Sequence, residues 1–135
     1  MTAPLFDRVA FIGIGLIGSS IARVMRRDGL AGAIIACARS DKTLNTVLEL
    51  GLADEVTKDP AVAASGADLV MICTPVLTYG TIAEAIAPAL KPGAIVTDVG
   101  SVKASAIKAV LPHLPEGVHF VPGHTIAGTE NSGPE

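Results

Sequence analysis

Short, wholly apolar runs alternate along this chain with stretches whose apolar positions recur at helical spacing. Arg8–Ile14 is the first run and predicts a strand that ends in glycines. Leu16–Asp28 predicts a helix with Ile17, Ile21, Val24 and Met25 on one face. Gly29 and Gly32 interrupt the chain before a second strand, Ala33–Ala38. Ser40 is suited to cap a helix over Asp41–Leu50, with Gly51 just past its end. A short strand over Glu55–Thr57 and a brief helix from Pro60 lead to the strand Asp68–Cys73. Thr78–Leu90 predicts a helix whose last turn is disturbed by Pro88. Lys91-Pro92-Gly93 turns the chain into a strand over Ala94–Asp98. Val102–Leu114 predicts a late helix, because Ile107, Val110, Leu111 and Leu114 fall on one stripe; His119–Pro122 is the final strand.

Strict succession of strand and helix implies right-handed crossovers, and hence an α/β fold: a doubly wound, mostly parallel Rossmann sheet with helices on both faces. The length suits one domain over residues 1–135. Half the residues are hydrophobic and only 3% are aromatic, so the core must be built from Ala, Val, Ile and Leu, as buried parallel strands prefer. The formal charge of −3 supplies no basic stripe for nucleic acid. Arg23, Arg26 and Arg27 fall in the last turns of a helix, where they complement its dipole. The N-terminus reads neither as a secretory signal nor as a membrane span. Cys37 and Cys73 each lie inside an apolar run that reads as a strand and are expected to be small core residues in a reducing, cytoplasmic setting.

Ligands of such sheets bind at the carboxyl ends of the strands. Gly13-Ile14-Gly15-Leu16-Ile17-Gly18 is a complete GxGxxG with a strand before it and a helix beginning inside it. Gly13 allows the tight turn, Gly15 lets the backbone approach a pyrophosphate, and Gly18 lets the helix pack closely. The first-turn N–H groups, those of Leu16 and Ile17 included, face the phosphates. The ribose reader of a dinucleotide site is expected roughly twenty residues on. That count reaches Ala38, which cannot accept a ribose hydroxyl, followed by Arg39 and Ser40, which suit a 2′-phosphate. NADP is therefore favoured over NAD, with Asp41 as the residue that would serve an NAD ribose. Thr74-Pro75, after the fourth strand, is expected on the nicotinamide side.

Asp98-Val99-Gly100-Ser101-Val102-Lys103 follows the next strand, and Ser101 is placed either to cap a helix or to hydrogen-bond a substrate oxygen or a histidine. His113 reads as a surface residue near a helix C-terminus, and nothing around His119 suggests chemistry. His124 differs: Gly123 precedes it and Thr125, Thr129 and Glu130 follow. An imidazole there can accept a hydroxyl proton as hydride leaves the same carbon. No metal site is indicated.

The glycine turn, Cys73-Thr74-Pro75, Asp98–Lys103 and Gly123-His124-Thr125-Ile126-Ala127-Gly128-Thr129-Glu130 together resemble the prephenate/arogenate (cyclohexadienyl) dehydrogenases of tyrosine biosynthesis, from about Arg8 to Gly133. The resemblance implies NAD(P)-linked oxidation of the ring C4 hydroxyl with loss of the ring carboxylate as CO2. It implies that His124 polarises that hydroxyl, that Ser101 orients the histidine and that Glu130 lies at the pocket mouth. Two departures accompany it. Thr125 stands where the family usually has proline, and the family's helical C-terminal domain, which forms a homodimer and supplies an arginine to the substrate, has no counterpart before Glu135. A chain of this extent is expected to bind cofactor and turn over poorly by itself. The other readings are a β-hydroxyacid dehydrogenase relative, against which the Gly-His-Thr segment speaks, and a non-catalytic nucleotide-binding module, which would leave the two late motifs unexplained.

Overall fold

The computed structural model describes residues 5–99 and 108–121. Strands β1 (Phe6–Ile12), β2 (Ala31–Cys37), β3 (Glu55–Thr57), β4 (Leu69–Ile72), β5 (Ile95–Asp98) and β6 (His119–Val121) form one sheet in the order β3-β2-β1-β4-β5-β6. Every neighbouring pair is parallel. Helices α1 (Gly15–Asp28), α2 (Asp41–Glu49), α3 (Pro60–Ala64) and α4 (Tyr79–Ile86) are the crossovers from β1 through β5. The sheet is thus a doubly wound Rossmann sheet, as the alternation of patterns implies. Its order reverses between β1 and β4, which opens a crevice at their carboxyl ends.

The strands are apolar throughout because both of their faces are covered. Ala10, Ile12, Ile35, Cys37, Val70, Ile72 and Val96 point to one layer, with Ala63, Ala64, Tyr79, Ala83 and Ile86 of α3 and α4. The alternate residues Val9, Phe11, Ile34, Ala36, Leu69 and Met71 point to the other, with Ala22, Met25 and Val47 of α1 and α2. A period of two therefore sorts one continuous apolar run into two cores.

Three details depart from the sequence reading. The buried face of α1 runs through Gly18, Ala22 and Met25, whereas Val24 is 40% exposed. Small residues on that face bring the helix axis close to the sheet, which shape rather than hydrophobicity selects. The segment read as one helix over Thr78–Leu90 begins as a 3-10 turn at Val76–Thr78 and ends as another at Ala87–Ala89, where Pro88 breaks the α ladder. The described end of the late helix, residues 108–110, passes into a 3-10 turn at Leu111–His113. Val110 is buried there, but Leu111 is 52% exposed, because the tighter turn rotates it off the stripe. Ile107 and the rest of that helix lie outside the described residues.

At the amino edge of the sheet two aspartates fix strand register. Asp68 Oδ2 accepts hydrogen bonds from the Asp7 and Arg8 amides at 2.9 and 3.0 Å, and its carboxylate pairs with Lys91. Asp54 Oδ2 accepts from the Ile34 amide at 2.8 Å, and Oδ1 pairs with Arg26 at 3.1 Å. The Lys91 ammonium and the two amides hold the Asp68 carboxyl below its ordinary range, against the opposing effect of burial.

Candidate nucleotide-binding edge

The loops after β1, β2, β4 and β5 meet at the opposite, carboxyl edge. Backbone hydrogen bonds lace them together: Gly13 N–H to Cys37 carbonyl at 2.7 Å, Cys73 N–H to Ile12 carbonyl at 2.8 Å, and Val99 N–H to Ile72 carbonyl at 3.2 Å. Each loop is thereby fixed to its neighbour at the point where it leaves the sheet.

Gly13 has φ +73°, and a β-carbon on it would lie 2.6 Å from Thr74 Cγ2, so no side chain fits there. Gly15, with φ +52°, opens α1; a β-carbon on it would meet nothing nearer than the Cys73 carbonyl at 3.9 Å. The space in front of Gly15 is therefore open, and backbone lines it. Gly18 is buried, with its β position 3.0 Å from Cys73 Sγ. Ile14 occupies the N-cap of α1 and makes no side-chain capping bond, and the first turn holds no acidic residue. The leading N–H groups of α1, among them those of Leu16 and Ile17, keep their capacity to bind an anion. These features fit the pyrophosphate of a dinucleotide: a close backbone approach, uncapped donors and a positive helix end.

A groove of about 490 Å³ flanks this turn, between the start of α1 and α2. Gly15, Ser19, Lys42, Thr43 and Thr46 line its polar side. Lys42 was not singled out from sequence; its position three residues beyond Arg39 was the available signal. Arg39 is exposed, and no ion pair engages it among the described residues. Ser40 is the N-cap of α2: its Oγ accepts from the Thr43 amide at 3.1 Å and donates to Thr43 Oγ1 at 2.9 Å. Asp41 pairs with Lys58 at 3.0 Å, which draws its carboxylate into a local contact.

Thr74 is half-buried and Pro75 exposed in the turn after β4. The Thr78 hydroxyl closes that turn, 2.6 Å from the Pro75 carbonyl and 2.7 Å from Thr74 Oγ1. Immediately after it, the Tyr79 hydroxyl donates to Asp98 Oδ2 at 3.1 Å, with both residues buried. Sequence reading missed this pair. Its available signal was an aspartate ending a buried strand, which demands a partner, and a single tyrosine in the chain.

The surroundings of both cysteines disfavour the thiolate. Burial, reinforced by the Asp98 charge, pushes the Cys73 thiol up to about 12. Burial and the charge of Asp59 push Cys37 up to about 11. Cys73 is only half-buried by solvent exposure, lying at the floor of the glycine turn rather than deep in the core. Ser101, His124 and Glu130 lie outside the described residues, as does Thr125. Among the described residues, no helix is long and apolar enough to cross a membrane.

Fold and edge together define a dinucleotide-binding Rossmann domain. Residues 21–135 match the family model for the prephenate dehydrogenase nucleotide-binding domain, and the chain belongs to that family. It is 43% identical to the cyclohexadienyl dehydrogenase of Zymomonas mobilis over 131 residues, which is 97% of this chain and 44% of that protein. The crystal structure of prephenate dehydrogenase from A. aeolicus in complex with hydroxyphenyl propionate and NAD+ superposes with a TM-score of 0.79 at 33% identity, over 93% of this chain and 46% of that one. Synechocystis arogenate dehydrogenase superposes with a TM-score of 0.78 at 34% identity, over 90% of this chain and 42% of that one. The chain thus spans less than half the length of these relatives.

Proposed function

We propose that this chain is the cofactor half of an enzyme that oxidises prephenate or arogenate at the ring C4 hydroxyl and releases the ring carboxylate as CO2. The observation that carries the reading is the Gly13–Gly18 turn, open in front of Gly15 and backed by the uncapped start of α1, in a chain of this family. A bound nicotinamide supplies the hydride acceptor. His124 takes the hydroxyl proton, Ser101 orients it and Glu130 guards the pocket mouth. The C4 hydride would leave as the hydroxyl proton passes to His124, the C–CO2 bond would break with its electron pair completing the aromatic ring, and His124 would return the proton to the phenolate oxygen, so that a phenol and CO2 are formed. Because aromatisation drives the reaction, positioning and one proton acceptor suffice.

NADP is the favoured cofactor, and Arg39 carries that preference. Asp41, held by Lys58, is poorly placed to take a ribose hydroxyl. Ser40, held by Thr43, contributes chiefly through the turn that presents Arg39. The active protein is a cytoplasmic homodimer in this reading. Its test is turnover of prephenate and of arogenate by the full-length protein, followed as nicotinamide reduction with CO2 release. His124→Ala should abolish turnover while leaving dinucleotide affinity intact. Normal oxidation by that variant would remove His124 from the mechanism.

A further inference from the structure

The groove between the start of α1 and α2 carries a cation that the fold itself does not need. Lys42 is the second residue of α2, in the first turn, where the positive end of the helix dipole disfavours an ammonium. No ion pair engages it among the described residues. The neighbouring acid gives it no relief, because Asp41 pairs with Lys58, just past β3, at 3.0 Å. Residues that break a local rule without local compensation gather at functional sites.

Lys42 lines the groove together with Gly15, Ser19, Thr43 and Thr46. Two of these hydroxyls spend their protons inside their own helices. Ser19 donates to the Gly15 carbonyl at 2.6 Å, and Thr46 donates to the Lys42 carbonyl at 2.9 Å. Thr43 Oγ1 accepts from Ser40, and its own proton has no acceptor among the described residues. The side-chain donors left to the groove are therefore the Lys42 ammonium and the Thr43 hydroxyl. The buried Ile14 and Val47 line it too, and apolar walls strengthen a charged contact made beside them.

Gly15 joins this groove to the pyrophosphate turn. In NADP the ribose that bears the 2′-phosphate is esterified at its 5′ carbon to the pyrophosphate, so the two anionic groups lie one sugar apart. We propose that Lys42, assisted by the Thr43 hydroxyl, is a second reader of the 2′-phosphate, which it holds jointly with Arg39. The Asp41–Lys58 pair then keeps the one carboxylate between the two cations from repelling that group. The inference rests on the NADP reading above and deepens it.

The test is equilibrium binding of NADP+, NAD+ and adenosine 2′,5′-bisphosphate to the full-length protein and to its Lys42→Ala and Lys42→Arg variants. Lys42→Ala should weaken NADP+ and the bisphosphate roughly tenfold and change NAD+ by less than about twofold. Lys42→Arg should keep most of the affinity. The unfolding midpoint of ligand-free Lys42→Ala should hold or rise, since alanine suits a helix and the dipole no longer opposes a cation. Equal losses for NADP+ and NAD+ would assign Lys42 to the pyrophosphate, and no loss for either would leave it a surface residue. Both results overturn the inference and leave Arg39 its role. Wild-type protein that binds NAD+ as tightly as NADP+ would instead overturn the cofactor preference beneath it.

Discussion

Gly18 packs so closely on Cys73 that a β-carbon there would lie 3.0 Å from the sulfur and 3.4 Å from the Cys73 β-carbon. This contact sets how near α1 comes to the switch point of the sheet, and so where its N-terminal donors point. An alanine at position 18 gains up to about 1 kcal/mol in helix propensity, but overpacking costs about 1–3 kcal/mol. Gly18→Ala should therefore destabilise the wild-type background and become neutral or stabilising once Cys73→Ala has removed the sulfur. A denaturant double-mutant cycle reads the coupling directly. Additive effects would show that the helix yields freely and that the contact sets nothing.

The same sulfur should be chemically quiet. With its thiol pushed up to about 12, Cys73 is almost entirely protonated at neutral pH, and Cys37 at about 11 behaves alike. Labelling of native protein with a thiolate-selective reagent at pH 7 should be slower than for free cysteine by about two orders of magnitude or more, and should become rapid on unfolding. Rapid native labelling would contradict the burial assigned to both sites.

Asp68 gives the fold an acid-sensitive tie. Its carboxyl is held below the ordinary range by Lys91 and the amides of Arg8 and Asp7, so folding favours the charged form. The stability it contributes is present above the unfolded value of about 3.9 and is lost as pH falls through that value toward the lower folded one. Asp68→Asn should lower stability at pH 7 by about 1–2 kcal/mol and flatten the decline between pH 5 and pH 2. An unchanged acid slope in the variant would place the sensitivity elsewhere.

Arg39 should decide cofactor choice. It stands exposed two residues past β2, shortly before Lys42 and Thr43, which line the groove. A charge-assisted contact to a 2′-phosphate is worth about 1.5–3 kcal/mol. Arg39→Ala should weaken NADP+ binding by roughly tenfold or more and leave NAD+ nearly unaffected. Equal losses for both cofactors would assign Arg39 to the pyrophosphate or to the fold.

Much of this architecture was legible because apolar runs bounded by glycine and proline specify buried parallel strands with little ambiguity. β1, β2, β4 and β5 fall where such runs lie, with ends differing by one or two residues. The capping role of Ser40 was legible too, since a cap is a local bond. The buried face of α1 was not: Gly18 and Ala22 form it because they are small, while helical periodicity weights Val24, which is exposed. The Tyr79–Asp98 bond was not legible either, because it joins residues 19 apart whose encounter depends on how α4 lies across β5. Nor was the engagement of Asp41 by Lys58, which depends on the end of β3 standing next to α2. The late motifs around Ser101 and His124 were chemically the most specific in the sequence, and they lie outside the described residues.

The central claim, that the Gly13–Gly18 edge is a dinucleotide site, is tested most directly by following thermal unfolding of the chain while titrating NADP+ and NAD+. Ligand at about 100 times its dissociation constant should stabilise the fold by about 2.7 kcal/mol. The account predicts a rise in midpoint with both nucleotides that grows with the logarithm of concentration above the dissociation constant and sets in at lower concentration for NADP+, and its loss in a folded Gly15→Ala protein. No rise with either nucleotide, or an undiminished rise in Gly15→Ala, would contradict it.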